Sequence, residues 1–208
     1  MKILALSDTI VEIIYSQYVR QRFPRVDMVI SCGDLPFYYL EYVTSALNAP
    51  TFYVRGNHAH PLEYTESGAH KEPEGAFDLH CRVVAQNGVL LAGIEGSLKY
   101  NRRQYQYSQV EMWLSVWSLV PRLLYNRIRY GRFLDIFVSH APPWGVNDQE
   151  DLPHQGIKAF LWLDKLFQPA FHLHGHIHVY RNDLQRECFI GRTKVVNVFG
   201  YREIDLPA

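Results

Sequence analysis

Paired cysteines, a charge imbalance and long apolar runs are all missing from this chain, and each absence closes off a class of protein. Its three cysteines (Cys32, Cys81, Cys188) are scattered without CxxC spacing, which argues against a disulfide framework and for reduced thiols. Cys32 reads as a small buried filler. The 21 basic and 21 acidic residues cancel, so no global field draws the chain to nucleic acid. No apolar run approaches the roughly 20 residues of a transmembrane helix. The chain opens on a strand-like segment instead of a charged-then-apolar export signal. No linker, repeat or low-complexity stretch divides the 208 residues, which suffice for a sizeable core. The expectation is one domain over residues 1–208, placed in the cytoplasm.

What is present is a series of short apolar runs, each ending in a polar break. Ile3-Leu4-Ala5-Leu6 leads to Ser7-Asp8, Met28-Val29-Ile30 to Gly33-Asp34, and Thr51-Phe52-Tyr53-Val54 to Gly56-Asn57-His58. Ile136-Phe137-Val138 leads to Ser139-His140, and the run from Ala170 to Leu173 to His174-Gly175-His176-Ile177-His178. Runs of this length with such flanks read as buried strands. In open α/β folds, sites form outside the carboxyl ends of the strands, so these polar side chains should converge. Asp8, Asp34, Asn57, His140, His176 and His178 form a ligand set for one or two divalent metals, the mark of a metal-dependent hydrolase.

Between these runs lie helical segments near 11–22, 37–47, 108–129 and 157–167. The opening βαβαβ order implies parallel strands with right-handed crossovers. Segments 79–85 and 89–94 flank Asn87-Gly88, a strong hairpin signal. The tail 179–206 reads as short antiparallel strands with a turn at Ile190-Gly191-Arg192-Thr193. Two packed sheets with helices outside are expected, with loops 35–42, 58–76 and 141–156 shaping the pocket.

The order Asp8, Gly33-Asp34, Gly56-Asn57-His58, His140, Gly175-His176-x-His178 resembles the calcineurin-like metallophosphoesterases, and the motifs span residues 8 to 178. The resemblance implies a four-layer αββα sandwich of two mixed β-sheets flanked by helices. It also implies hydrolysis of phosphodiesters, phosphomonoesters or pyrophosphates at a dinuclear centre. Asp34 would bridge the metals, Asn57, His140 and His176 would complete the second site, and Asp8 and His178 the first. Two ions about 3.5–4 Å apart can share a hydroxide and clamp the attacking and leaving oxygens. His58 is then the catalytic proton donor to the leaving oxygen; its structural alternative is a turn histidine.

Two positions depart from the family pattern. Its first motif is Asp-x-His, where this chain has Asp8-Thr9-Ile10, and an acid usually follows Gly-Asn-His, where Ala59 stands. The first site is therefore expected to be weaker and richer in oxygen ligands. Glu12 and His60 are the nearest stand-ins; otherwise they are a solvated helix face and a loop surface. Mn²⁺ is the expected ion, with Fe, Zn, Ni or Mg the other candidates. The partner is a phosphorylated small-molecule or nucleotide-like substrate. His174 reads as support for a ligand, and His154 as a substrate contact or loop anchor. His70 and His80 read as surface or strand-edge residues.

From residue 99 to 132, seven basic residues face the single acid Glu111, alongside Trp113, Trp117 and five tyrosines. Trp113, Val116, Trp117 and Val120 recur at helical spacing and mark one apolar face. Pro121 should kink or divide the helix. This basic aromatic insertion reads either as a helix packed on the sheet with a solvated rim, or as a contact for an anionic surface, nucleic acid or a second copy. Two alternatives to catalysis thus stand: a degenerate family member that binds metal and a phosphorylated ligand or partner without turnover, and a binding module built on residues 99–132. An amidohydrolase fits less well, because its His-x-His pair commonly sits at the first strand.

Overall fold

The computed structural model describes residues 1–65, 68–101, 103–180 and 186–207. Arg102 of the basic segment, residues 66–67 of the loop expected at 58–76 and residues 181–185 of the tail lie outside the described residues. In chain order the strands are β1 (Lys2–Ser7), β2 (Met28–Ser31), β3 (Thr51–Tyr53), β4 (Glu63–Thr65), β5 (Gly68–His70), β6 (Ala76–Asp78), β7 (Arg82–Gln86) and β8 (Val89–Ile94). There follow β9 (Ser97–Leu98), β10 (Gln106–Tyr107), β11 (Ile136–Ser139), β12 (Phe171–His174), β13 (Glu187–Ile190), β14 (Thr193–Asn197) and β15 (Gly200–Asp205). The helices are α1 (Val19–Arg22), α2 (Phe37–Leu47), α3 (Gln109–Tyr130) and α4 (Lys158–Phe167).

Two sheets dominate. The first runs β15-β1-β2-β3-β6 and the second β13-β14-β12-β11-β8-β7. In the first, β1, β2, β3 and β6 are parallel and β15 joins antiparallel to β1. In the second, β8, β11, β12 and β14 are parallel, with β7 and β13 antiparallel at the edges. Alternation along the strands divides the apolar residues between two faces. Ile3, Ala5, Met28 and Ile30 meet Leu91, Ile136, Val138 and Leu173 between the sheets. Leu4, Leu6 and Val29 turn outward to Tyr39, Leu40 and Val43 of α2. Leu90, Ala92 and Phe137 turn outward to α3 and α4. The layers are therefore helix, sheet, sheet, helix, as the sequence implied.

One local expectation is met closely. The hairpin closes with Gln86 opposite Val89, and both turn residues, Asn87 (φ 50°) and Gly88 (φ 83°), are left-handed, as a two-residue turn matched to the strand twist requires. Three expectations need correction. The helix expected near 11–22 shrinks to Val19–Arg22, preceded by turns, because Thr9, Ile10, Val11, Ile13 and Ile14 are β-branched and weak helix formers. Of the kink or division expected at Pro121, the division does not occur: α3 runs unbroken from Gln109 to Tyr130. The carbonyl that proline leaves unpaired belongs to Trp117, on the exposed side of the helix, where water can satisfy it. The buried face is Met112, Val116, Leu119 and Leu123, with Trp113 and Val120 at its margin, whereas Trp117 is exposed. The helix is thus rotated from the expected face, and the aliphatic stripe packs toward β7, β8 and α4.

Candidate metal centre

All the expected ligands lie just past the carboxyl ends of parallel strands: Asp8 after β1, Asp34 after β2, Asn57 after β3, His140 after β11, and His176 and His178 after β12. Three of the six, Asp8 (φ 66°), Asp34 (φ 55°) and His176 (φ 68°), have left-handed backbones. Such conformations cost on the order of 1–3 kcal/mol each for non-glycine residues and cluster at functional sites. Here the strain turns each side chain back over the strand ends instead of out into solvent.

The turns also admit one another at close quarters. A Cβ on Gly33 would lie 2.6 Å from His140 Nδ1, and one on Gly56 2.1 Å from Asp34 Oδ1. One on Gly175 would crowd Ser7 Oγ and lie 2.6 Å from Asp8 Oδ2. Gly33 has φ +101° as well, so both space and backbone demand glycine there.

His140 is fully buried. Its Nδ1 donates to the Cys32 carbonyl at 2.8 Å, which fixes the ring and leaves Nε2 facing the site. That nitrogen lies 2.9 Å from Asn57 Oδ1 and 3.1 Å from Asp34 Oδ2. Burial alone would hold the imidazole neutral, but the Asp34 carboxylate, with Asp8 and the Cys32 carbonyl, outweighs it and lifts the pKa to about 9. Burial conversely pushes Asp34 up, yet His140 and the His58 backbone N–H bring it down to about 2. The spot between these atoms favours positive charge. Among the described residues, ligand atoms of Asp8, Asp34 and His140 all lie within 4.8 Å of one another. One nitrogen and several oxygens converging on an electronegative point suit a divalent ion, so the donor set fits the expected metals.

The remaining expected ligands are tied in differently. The His176 backbone N–H donates to both oxygens of Asp8, each at 3.1 Å. Its Nε2 donates to the Pro153 carbonyl at 2.7 Å, which leaves Nδ1 as the ring's lone-pair nitrogen. Burial, with the nearby His140 charge, depresses its pKa to about 4, so it is a neutral ligand-ready imidazole. His178 Nε2 lies 3.7 Å from Asp8 Oδ1, and this contact raises its pKa despite partial burial. His58 is exposed and its backbone N–H donates to Asp34 Oδ1 at 2.9 Å. Its side chain lines two hollows. One, of about 170 Å³, is shared with Asp34, Leu35 and Glu63; the other, of about 390 Å³, with Asn57, Arg103 and Gln104. Of the two stand-ins, His60 lines both hollows, whereas Glu12 faces a separate depression with Tyr18 and Arg22.

Several supporting residues escaped the sequence reading. Tyr100 accepts a hydrogen bond from Asn57 Nδ2 at 2.9 Å and so turns the amide oxygen toward His140. Arg55, one residue before Gly56, is anchored by Asp78 at 3.1 Å. His80, expected to be a surface or strand-edge residue, is half-buried, forms a β-bridge with Gly93 of β8, and lies 3.6 Å from the buried Glu95. His172 Nδ1 meets Asp164 Oδ2 at 2.6 Å, while its Nε2 donates to Ser139 Oγ at 2.8 Å. The order Ser–His–Asp resembles a nucleophile triad, but all three side chains are wholly buried. Ser139 Oγ instead donates to the Ala141 carbonyl at 2.6 Å, bracing the turn that holds His140. The available signal was Asp164 itself, a carboxylate on the apolar face of α4 with Phe160, Leu163 and Phe167. His174 is buried and held neutral by that burial, its pKa pushed down to about 3. It donates to the Gly175 carbonyl and pairs with Asn147. His154 pairs with Asp151 at 2.7 Å and anchors the loop whose Pro153 carbonyl orients His176.

A family model described as calcineurin-like phosphoesterase matches residues 1–180. Among curated proteins, the UPF0046 protein K07C11.7 of Caenorhabditis elegans is 22% identical over 218 residues, which cover 95% of this chain and 69% of that protein. Among solved structures, TT1561 of Thermus thermophilus aligns with a TM-score of 0.61 at 19% identity, covering 96% of this chain and 89% of that one. GAP50, the anchor in the inner membrane complex of Plasmodium, aligns with a TM-score of 0.53 at 14% identity, covering 96% of this chain and 71% of that one. At these identities the structural likeness shows the fold alone.

Proposed function

Because the chain belongs to the calcineurin-like phosphoesterases, whose function is metal-dependent phosphoester hydrolysis, we propose that it hydrolyses phosphodiesters at a dinuclear centre held by Asp8, Asp34, Asn57, His140, His176 and His178. The observation that carries this reading is the meeting of His140 Nε2 with Asn57 Oδ1 and Asp34 Oδ2 at 2.9 and 3.1 Å, with Asp8 alongside. Divalent ions in that centre supply Lewis acidity and positive charge against the phosphoryl group. Mn²⁺ is the preferred ion, since oxygen ligands predominate around Asp8 and Asp34.

The chain's own residues do the rest. Asp34 accepts the His58 backbone N–H, which holds the exposed imidazole at the rim, where it donates a proton to the leaving oxygen. The preference for a diester rests on the two hollows flanking His58. They offer separate seats for the two ester substituents, and Arg103 supplies a cation at the rim of the larger one.

The test is hydrolysis of bis-p-nitrophenyl phosphate and p-nitrophenyl phosphate by metal-stripped protein supplied with Mn²⁺, beside His140→Ala and Asp34→Asn. Turnover restored by metal, abolished in both variants and greater on the diester is expected. Greater turnover on the monoester would reverse the bond preference. Tight metal uptake without turnover on either would replace catalysis with binding, the reading that Ile10 and Ala59 motivate. Absence of metal uptake would sink the proposal.

A further inference from the structure

Helix α3 is apolar on two opposite sides. One is the core stripe Met112, Val116, Leu119 and Leu123. On the other, Val110, Leu114, Trp117, Pro121, Leu124 and Ile128 fall within roughly 40° of one line at 100° per residue. Every one of them is exposed, and the large side chains range from 51% at Leu124 to 87% at Ile128. This stripe runs about 27 Å along the helix. A contiguous exposed apolar face with a polar rim marks an interaction surface rather than scattered surface hydrophobes.

The rim is basic. Arg122 and Arg129 share one flank, their guanidinium groups 4.7 Å from the Tyr125 ring centre and 5.2 Å from that of Tyr130. Arg127 lies on the other flank. No Asp or Glu occurs between Glu111 and Asp135, and Arg132, just past the helix, is already paired with Asp135. Among the described residues no helix is long and apolar enough to cross a membrane.

We infer that this face of α3 docks the protein onto an anionic lipid surface, with Leu114, Trp117, Leu124 and Ile128 entering the headgroup layer and Arg122, Arg127 and Arg129 meeting lipid phosphates. An apolar stripe with aromatic members and an arginine rim is the composition of helices that lie in the plane of a bilayer interface. A second copy is the less favoured occupant on two grounds. A 22-residue helix offers a face of about 350 Å², against the ~800 Å² per partner typical of a stable dimer. Pairing two copies would also bring together two arginine-rich rims with only Glu111 on each helix to offset them. A lipid surface meets both conditions, since it needs no self-complementary shape and supplies the opposite charge. The sheet-facing stripe anchors the helix to the fold, so docking requires no part of the protein to unfold.

The full chain is floated with phosphatidylcholine vesicles, with and without phosphatidylglycerol. Wild type, a Leu124→Gln/Ile128→Gln variant and an Arg122→Gln/Arg129→Gln variant are compared, with near-ultraviolet circular dichroism and melting as checks on folding. All four positions are exposed, so the fold is expected to survive. Co-flotation of wild type that depends on phosphatidylglycerol and falls about tenfold in partition coefficient in each variant supports the inference. Raised salt should weaken binding by wild type and have much less effect on the arginine variant. Failure to bind anionic vesicles, or binding that both variants leave unchanged, overturns it. So does a concentration-dependent dimer that the Leu124/Ile128 substitutions dissolve without any vesicle binding, which would give the face to a second copy. RNA binding lost in the arginine variant, again without vesicle binding, would give it to nucleic acid.

Discussion

Gly56→Ala tests the centre through space alone. Gly56 does not have a left-handed backbone, so alanine meets no dihedral penalty there. Its Cβ would lie 2.1 Å from Asp34 Oδ1, 2.4 Å from Asp34 Cγ and 2.7 Å from His140 Cε1. A carbon–oxygen contact needs roughly 3.3 Å, so the Asp34 carboxylate must retreat by about 1 Å. That retreat breaks the 2.9 Å bond from the His58 backbone N–H and pulls Oδ2 away from His140. Misplacement on this scale costs about 10²-fold in rate, and crowding a packed site costs about 1–3 kcal/mol of stability. Calorimetric titration of Mn²⁺ into the metal-stripped variant should show uptake weakened by at least an order of magnitude, with kcat/KM on bis-p-nitrophenyl phosphate down about a hundredfold. Gly88→Ala is the matched control. There φ is +83° with no neighbour within 4 Å, so stability should fall while metal uptake stays as in wild type. Wild-type uptake and turnover in Gly56→Ala would refute the placement of Asp34 at the centre.

Metal-stripped protein should lose stability on mild acidification. His174 and His176 have folded pKa values near 3 and 4, so both remain neutral in the fold while the unfolded chain protonates them near 6.5. Their contribution is complete above pH 6.5 and is lost as pH falls toward those values, at about 1.4 kcal/mol per pH unit for each proton. Urea unfolding at pH 7, 6 and 5 measures this, and a flat profile would contradict it. Tyr100→Phe removes the partner of Asn57 Nδ2 and should weaken metal uptake about tenfold with little change in Tm; unchanged affinity would mean that the amide is oriented by other contacts. Asp164→Ala leaves His172 Nδ1 unpartnered in a closed core and should cost roughly 3–5 kcal/mol in denaturant unfolding. Because Ser139 is wholly buried, a fluorophosphonate probe should leave it unlabelled in the folded protein, and labelling would show that the triad geometry is accessible.

The parallel strands and the residues at their carboxyl ends were legible because both signals are local. A short apolar run and the polar break that follows it are adjacent in sequence, and the direction of a parallel strand carries the break to one edge of the sheet. Helix α2 lies where it was expected, near 37–47, and Asn48 with φ 52° ends it. The rotation of α3 was not legible, because the helix carries apolar residues on both sides and only the groove over the second sheet decides which side is buried. Tyr100 and Pro153 were illegible as supports for a similar reason. Each acts on a partner distant in sequence, 43 residues away for Tyr100 and Asn57 and 23 for Pro153 and His176, and no periodicity links such pairs.

The glycine motifs gain a physical meaning from the way the turns interlock. Gly33, Gly56 and Gly175 each precede an expected ligand, yet the ligand each glycine spares belongs to a different turn: His140, Asp34 and Asp8 respectively. A glycine in Gly-Asp, Gly-Asn or Gly-His therefore makes room for the ligand arriving from another strand, not only for the one that follows it. This explains why the motifs work as a set. Each is a common dipeptide, and any one alone would leave a turn with an empty space and no side chain to enter it. Together they let ligands from both sheets close to within 4.8 Å across the open edge of the sandwich. The same interlocking accounts for the left-handed backbones of Asp8, Asp34 and His176, since a residue in the extended conformation would continue along its strand and miss the common point. The departures at Ile10 and Ala59 leave this framework intact, because neither position contributes a sparing glycine or a left-handed turn. Under the proposed function their effect falls on the donor count and on the surroundings of the His58 imidazole, while the cradle itself is made by backbone shape.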